Sequence, residues 1–219
     1  MELMHFDIET VGQYPNFEDF QLNDERGANL FLKKYEKKKW SEQYEDVDDA
    51  YQNNAGIVST YGKIVCISLG YLDSNKQKQI KSFYGDDEKE VVNSFNETLK
   101  KIQKKNFSLS GFRIKHFDIP WVLHKLHKYG IVPADIIYFY DKKPWETRVV
   151  DMSVDWKQFF AWGFSFDEMC YELGVDSPKD ALDGSKVHTT YWSGGMDKVV
   201  DYCEKDVSSS IDCSLKIYS

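Results

Sequence analysis

The sequence has no long hydrophobic run, since no stretch approaches the ~18 consecutive apolar residues of a membrane-spanning helix. The N-terminus also lacks a basic segment followed by an apolar one, so we expect no cleavable secretion signal. The four cysteines form no Cys-x-x-Cys pair and have no histidine at zinc-site spacing. Together these absences predict reduced thiols, no membrane partner and a cytoplasmic location.

The sequence also has fewer basic than acidic residues. There are 28 Lys and Arg residues against 36 Asp and Glu, which gives a formal net charge of −8. Such a protein does not bind polyanions through its whole surface. Nucleic acid stays open as a substrate, because carboxylates gathered for metal ions count as negative until the ions bind. Residues 33–39, 100–105 and 113–148 are locally basic, although runs of this kind are also typical of solvated helix faces.

The chain of 219 residues is long enough to bury about 70% of its unfolded surface. Its apolar pattern predicts an N-terminal strand, a hairpin at residues 63–84, then helices and strands in alternation up to a long helix at 196–218. A helical insertion is predicted at about residues 13–60, and a loop at 177–191. We therefore expect one α/β domain, residues 1–219, in which helices flank a mixed β-sheet.

Two acids, Asp7 and Glu9, interrupt the apolar N-terminal strand. On a strand they share one face and lie roughly 7 Å apart at Cα, while Phe6 and Ile8 face the other side. Two carboxylates so close repel each other, and a bound cation relieves this repulsion. Hard oxygen ligands suit Mg²⁺ or Mn²⁺. The alternative is chance, since acids are common in this chain and Asp86 and Glu88 have the same spacing.

Two further acids have unusual positions. Asp206 lies one turn after Tyr202 on the predicted final helix, at the edge of its apolar stripe, where a carboxylate without a partner is costly. Asp118 precedes Pro120, which prefers the first helical position, so Ile119 is the predicted N-cap and the Asp118 carboxylate is free for another task. The ordinary alternatives are a solvated Asp206 and an N-cap role for Asp118.

In combination, these segments resemble the DEDDy 3′–5′ exonucleases, the DnaQ-like branch of the ribonuclease H fold. More narrowly, the chain is similar to the standalone bacterial and phage exonucleases related to the proofreading domain of family B DNA polymerases. The resemblance spans nearly the whole chain and includes residues 6–10, 63–68, 83–90, 117–118, 143–146, 177–180, 183–185 and 202–206. It implies a ribonuclease H-like fold and removal of nucleoside 5′-monophosphates from the 3′ end of DNA.

The resemblance also implies a site with two Mg²⁺ or Mn²⁺ ions. In it, Asp7, Glu9 and Asp206 hold the ion that activates water, and Asp7 bridges to the second ion. Asp118 supports that second ion through water, and Tyr202 orients the attacking water. Two such ions stabilise both the attacking and the leaving oxygen in phosphodiester hydrolysis.

Further residues are expected to contact the DNA strand. The backbone of Thr10 resembles the position that meets the terminal 3′-hydroxyl, and Phe112 is a candidate stacking surface. Arg113 and His116 stand where the family commonly has Asn, near the substrate backbone. Single strands and frayed ends should be preferred over blunt duplex, because the terminal base must be unpaired to enter.

Lys179 is the last candidate. It opens a lysine-x-x-hydrophobic pattern that resembles the element of family B proofreading domains whose lysine helps to hold the phosphate being cleaved. A fixed ammonium there stabilises the charge that develops on the phosphate. The alternative is a solvated lysine in a polar loop.

Two rival functions remain open at the level of sequence. One is an RNA exonuclease of the same mechanism, because sugar discrimination rests on one or two contacts to the 2′-hydroxyl. The other is a non-catalytic nucleic-acid-binding subunit on an exonuclease fold. A replication or repair protein is the candidate protein partner.

Overall fold

The computed structural model describes residues 2–143, 145–157, 164–177 and 182–218. Within these ranges the strands are Glu2–Gly12 (β1), Gly62–Leu72 (β2), Lys78–Tyr84 (β3), Phe107–Gly111 (β4) and Val149–Asp151 (β5). They form one sheet with the order β3-β2-β1-β4-β5. The β1–β2 and β2–β3 pairs are antiparallel, whereas β1–β4 and β4–β5 are parallel. The predicted mixed sheet and its hairpin are therefore confirmed.

Helices cover both faces of this sheet. The α-helices are Phe17–Asn23 (α1), Glu25–Lys37 (α2), Val47–Asn54 (α3), Glu88–Ile102 (α4), Asp118–Lys128 (α5), Met152–Lys157 (α6), Phe166–Leu173 (α7), Val187–Trp192 (α8) and Met196–Tyr218 (α9). Short 3₁₀ helices lie at Trp40–Glu42, Ala55–Ile57, Asp135–Ile137 and Gly184–Lys186. In the described part of the chain, none of these helices has the length and apolar character needed to span a bilayer.

The central strand β1 separates two environments. Its alternation places Met4, Phe6 and Ile8 on one face, where they are buried in the main hydrophobic core. The ring of Phe6 lies 5.4 Å from that of Phe95 on α4, centroid to centroid. Asp7 therefore faces the opposite side of the sheet, towards α9.

The amphipathic helix α9 packs across this second face. Of the predicted apolar stripe, spaced by four, Val199, Cys203, Val207 and Ile211 are buried, whereas the last member, Leu215, is 47% exposed. The helix approaches β2 closely at Gly70, where an added Cβ would lie only 2.7 Å from Cγ1 of Val207. Glycine at this position is thus required by the packing of helix on sheet.

The helices between β1 and β2 have their own aromatic core. Phe20, Phe31, Tyr51 and Tyr61 are buried together, and the Phe20–Tyr51 and Phe31–Tyr61 ring centroids are each 5.2 Å apart. Tilted and edge-on ring pairs of this kind are favourable arrangements of the aromatic quadrupoles. These helices lie in the stretch, about 13–60, for which we propose an insertion.

Two details differ from the sequence-based prediction. Helix α5 begins at Asp118, with Phe117 as its N-cap, so Pro120 is the third helical residue rather than the first. Proline is tolerated there because the first four N–H groups of a helix have no intrahelical acceptor.

The predicted loop at 177–191 contains α8, whose six residues are too few to show a helical period.

A buried ion pair joins α4, α5 and β2. One carboxylate oxygen of Glu88 accepts a hydrogen bond from the Ile64 N–H at 2.7 Å and lies 3.1 Å from Nζ of Lys125. The other oxygen accepts from the Tyr129 hydroxyl at 2.6 Å. Lys125 also donates to the Gly62 carbonyl. This arrangement satisfies two buried charges that would otherwise be costly.

Replacing Lys125 tests this arrangement. The Lys125 side chain is 1% exposed, whereas that of Lys128, 3.5 Å from the same carboxylate, is 44% exposed. Lys125→Ala should lower the free energy of unfolding by about 3–5 kcal/mol, because it leaves a buried carboxylate without its main partner. Lys128→Ala should lower it by at most ~1 kcal/mol. Urea denaturation measures both, and equal losses would contradict this account.

Candidate active site

The first two acids of the candidate site lie on β1. Glu9 is buried and Asp7 is half-buried. Immediately after Glu9, the β1–β2 register shifts by a bulge, and bulges of this kind re-aim the side chains beside them. The carboxylates of Asp7 and Glu9 and the thiol of Cys203 on α9 each offer a ligand atom, and these atoms lie within 4.8 Å of one another.

Asp118 joins them from the first turn of α5. It is buried, and its Oδ1 accepts a hydrogen bond from the N–H of Ile8 at 3.1 Å. The pairing of β1 with β4 ends at His5 and Ser110, so the carboxylate takes the place of the next strand partner. This hydrogen bond ties Asp118 to the strand between Asp7 and Glu9.

Tyr202 and Asp206 complete the group from α9. They lie one turn apart on the helix face that meets β1, and both are buried at its edge. Burial raises the pKa of the Tyr202 hydroxyl, and the charges of Asp206, Glu9 and Asp7 raise it further. The tyrosine therefore stays protonated and presents an O–H donor to the pocket.

Burial and the closeness of the other acids both raise the pKa values of the carboxyl groups in this site. Burial raises the pKa of Asp7 well above its usual value, and the neighbouring charges of Asp206, Asp118 and Glu9 add to this. The pKa of Glu9 is raised in the same way, by burial and then by Asp206. Burial also raises the pKa of Asp118, to about 8. A bound cation would lower all three pKa values, so the donor set fits a divalent metal with oxygen ligands.

These side chains line a pocket of about 470 Å³. It brings together seven of the predicted residues, which are Asp7, Glu9, Phe112, Arg113, Asp118, Tyr202 and Asp206. His116, which the resemblance places near the substrate backbone, is also part of the lining, and the pocket adds Phe6, Ile8, Phe117, Phe166, Gly184 and Ser210. Within the described ranges, Arg113 is the positively charged residue of this lining. Lys179 lies outside the described residues.

Three predicted strand-contacting residues have other partners in the structure. The Thr10 hydroxyl donates to the Gly56 carbonyl at 2.5 Å, and Thr10 is not part of the pocket lining. Phe112 packs against Phe164 and Phe166, with ring centroids 5.7 and 5.3 Å away. Arg113 donates to the Phe164 carbonyl at 2.8 Å.

Asp151 was not recognised as a site residue from the sequence. Buried at the end of β5, it accepts hydrogen bonds from the N–H groups of Arg113 and Lys115, each at 3.0 Å. Arg113 has a left-handed backbone with φ 59°, which is strained for a residue with a side chain. Asp151 thus holds the strained loop that carries one wall of the pocket. The feature of the sequence that could have indicated this role is the position of an acid at the end of a short apolar strand.

The fold is a mixed five-stranded sheet with helices on both faces, and acids from β1, α5 and α9 line one pocket of it. The family model for predicted 3′-5′ exonucleases related to the exonuclease domain of PolB matches residues 57–212, well over half of the chain. The chain therefore belongs to this family of predicted 3′–5′ exonucleases. No curated protein matches the sequence.

Solved structures that resemble the chain include a DNA polymerase and an exonuclease. One is the family B DNA polymerase from the hyperthermophilic archaeon Pyrobaculum calidifontis, with a TM-score of 0.62 and 16% identity. That match covers 99% of this chain and 24% of the polymerase, so the chain spans about a quarter of that protein. The other is exonuclease I, with a TM-score of 0.45, 11% identity and coverage of 99% and 40%. At this identity the polymerase match shows the fold alone.

The raised pKa values predict how the metal-free protein responds to pH. The unfolded carboxyls ionise near pH 4, while folded Asp118 ionises at about 8 and Asp7 and Glu9 well above their usual values. Between these limits the folded state holds more protons than the unfolded chain, so the stability should fall as pH rises from about 4 to 8.

Asp7→Asn should therefore raise the melting temperature of the metal-free protein at about pH 8, because it removes one of the repelling charges. The matched control is Asp86→Asn, an exposed acid with the same spacing to a glutamate. Calorimetry in EDTA measures both variants. A melting temperature for Asp7→Asn at or below that of the wild-type protein would show that the acids do not repel as described.

Proposed function

We propose that this protein is a two-metal-ion 3′–5′ exonuclease that shortens DNA from its 3′ end and releases nucleoside 5′-monophosphates. The observation that carries the proposal is the convergence of Asp7, Glu9, Asp118 and Asp206 on one pocket, where burial and the neighbouring acids raise the pKa values of Asp7, Glu9 and Asp118. Fold stability alone gives no reason to gather acids in this way.

The four carboxylates are the residues that would hold Mg²⁺ or Mn²⁺. Such ions, when bound, supply Lewis-acid stabilisation of the phosphate and lower the pKa of water. Asp7 is central in the group, since its pKa is raised by all three other acids. Asp118 is fixed by the Ile8 N–H, which keeps its carboxylate in place before substrate arrives.

Tyr202 supplies the hydrogen bond that orients water for attack. Its raised pKa keeps the hydroxyl protonated, so it acts as a donor and not as a base. Arg113 contributes positive charge at the pocket wall, where the phosphates of a strand approach, and His116 lines the same wall. Lys179 remains proposed as the cation beside the cleaved phosphate. We expect a preference for single strands and frayed ends, because a closed base pair would have to open first.

Oligonucleotides labelled at either end provide the direct test. With Mg²⁺ or Mn²⁺, 5′-labelled DNA should give a ladder of shortening products, and 3′-labelled DNA should release labelled mononucleotide at once. EDTA should stop both reactions. RNA of the same sequence should be cut more slowly. Faster cleavage of RNA would contradict the assignment of DNA as substrate.

Asp7→Asn should lower the rate of this reaction by at least about 100-fold, because the central carboxylate of the group is lost. Asp86→Asn, with its identical spacing in the sequence but outside the pocket lining, should retain wild-type activity. Wild-type activity in folded Asp7→Asn would disprove the assignment of the site.

Tyr202→Phe should lower kcat by about 10- to 100-fold, since a misplaced nucleophile costs rates of this order. The concentration of Mg²⁺ that gives half-maximal activity should not change, because Tyr202 is not a metal ligand in this proposal. Tyr191→Phe is the control, as it removes the hydroxyl of another buried tyrosine outside the pocket lining. If the two variants behave alike, Tyr202 has no role in orienting water.

A further inference from the structure

Two large aromatic side chains project into solvent from the segment before β5. Tyr140 is 59% exposed and Trp145 is 77% exposed. The Tyr140 ring stacks on that of Phe139, with centroids 4.2 Å apart and planes 29° from parallel. Phe139 in turn packs against the main core. Exposed aromatic rings of this size are characteristic of binding surfaces.

Tight turns hold these rings outward. The N–H of Lys142 reaches back to the carbonyl of Phe139 at 3.4 Å, and Asp141 has a left-handed backbone with φ 61°. In the next turn, the N–H of Glu146 donates to the Lys143 carbonyl at 2.9 Å, and the Glu146 carboxylate accepts from the Lys143 N–H at 3.1 Å. The rings are thus presented by a hydrogen-bonded backbone.

Cations lie directly beside these rings, although the protein as a whole is acidic. Nζ of Lys115 is 5.8 Å from the Phe139 ring centroid, and Nζ of Lys143 is 5.5 Å from that of Trp145. An adjoining cavity of about 370 Å³ is lined by three further cations and two acids, which are Lys104, Lys142, Arg148, Asp135 and Glu146. Positive charge interleaved with exposed aromatic rings is the composition of surfaces that bind single-stranded nucleic acid.

The surface is continuous with the candidate active site. Lys115 lies between Arg113 and His116, which both line the catalytic pocket, and its own side chain reaches Phe139. Asp151 fixes this loop through two backbone hydrogen bonds. The loop that forms one wall of the pocket therefore contacts, through Lys115, the Phe139 ring on which Tyr140 stacks.

We propose that Tyr140 and Trp145 form a second binding site for single-stranded DNA, which holds nucleotides upstream of the 3′ end being cleaved. The bases stack on the two rings, and Lys115 and Lys143 contact the phosphates. The proposal rests on the proposed function, since it concerns the same strand. Stacking of this kind tolerates any base sequence, as an enzyme that moves along a strand requires.

Binding of a 5′-labelled oligodeoxythymidylate in EDTA, followed by fluorescence anisotropy, tests the site without cleavage. Tyr140→Ala and Trp145→Ala should each raise Kd about 10-fold, the loss expected for one stacked base. The matched control is Tyr84→Ala. Tyr84 is 54% exposed, but it lies on β3, at the opposite edge of the sheet from β5, and its loss should leave Kd unchanged.

Substrate length provides the second readout. The ratio of kcat/KM on a long oligodeoxythymidylate to that on a trinucleotide should fall about 10-fold in Tyr140→Ala and Trp145→Ala, because in this proposal only the longer strand occupies both the pocket and the rings. It should be unchanged in Tyr84→Ala. A general loss of activity through misfolding would lower both rates equally and leave the ratio unchanged.

The outcomes separate the two proposals. A wild-type protein that does not shorten DNA would disprove the proposed function itself. An active wild-type protein whose Tyr140→Ala and Trp145→Ala variants match Tyr84→Ala in Kd and in the length ratio would disprove the upstream site alone. Unchanged DNA binding with a lost affinity for another protein would assign the rings to a protein partner and would likewise overturn the proposal.

Discussion

Four carboxylates held close together, three of them buried and Asp7 half-buried, are the constraint around which this fold is arranged. Each of the acids would be more stable in water, so the rest of the molecule must supply the free energy that keeps them together. It does so through apolar packing: Met4, Phe6 and Ile8 anchor one face of β1 in the main core, and α9 is fixed on the other face by Val199 and its buried stripe. Acids and core residues thus alternate along the same strand.

The loop that carries Arg113 and Lys115 depends on a different acid, Asp151, which does not belong to the group of four. Its two carboxylate oxygens accept from two backbone N–H groups of this loop. The same loop forms a wall of the pocket and supports Lys115 beside Phe139. One buried side chain therefore positions parts of both proposed strand contacts.

Elements with a periodic apolar pattern could be predicted from the sequence. Contacts between residues far apart in the sequence could not. The alternation around Asp7 and the spacing of Val199, Cys203 and Val207 indicate β1 and α9 directly. The start of α5 at Asp118 does not follow from any local pattern, because the carboxylate bonds to Ile8, which is 110 residues away. Likewise, the partners of Asp151 lie 36 and 38 residues away. The family resemblance identified the acids, but the Phe112 cluster and the Thr10–Gly56 contact required coordinates.

The early end of the β1–β4 ladder has a consequence for the architecture of the pocket. The two strands run in parallel only as far as His5 and Ser110 and then separate, and Asp118 accepts the hydrogen bond that a longer β4 would have taken. The cleft therefore lies where β1 and β4 separate, and its width depends on the residue at which β4 ends. If β4 were a few residues longer, it would continue to pair with β1 and close the cleft. Insertions in the loop after Gly111 would widen the cleft. A change in the length of β4 can therefore change the size of this site in evolution or design while its acids stay the same.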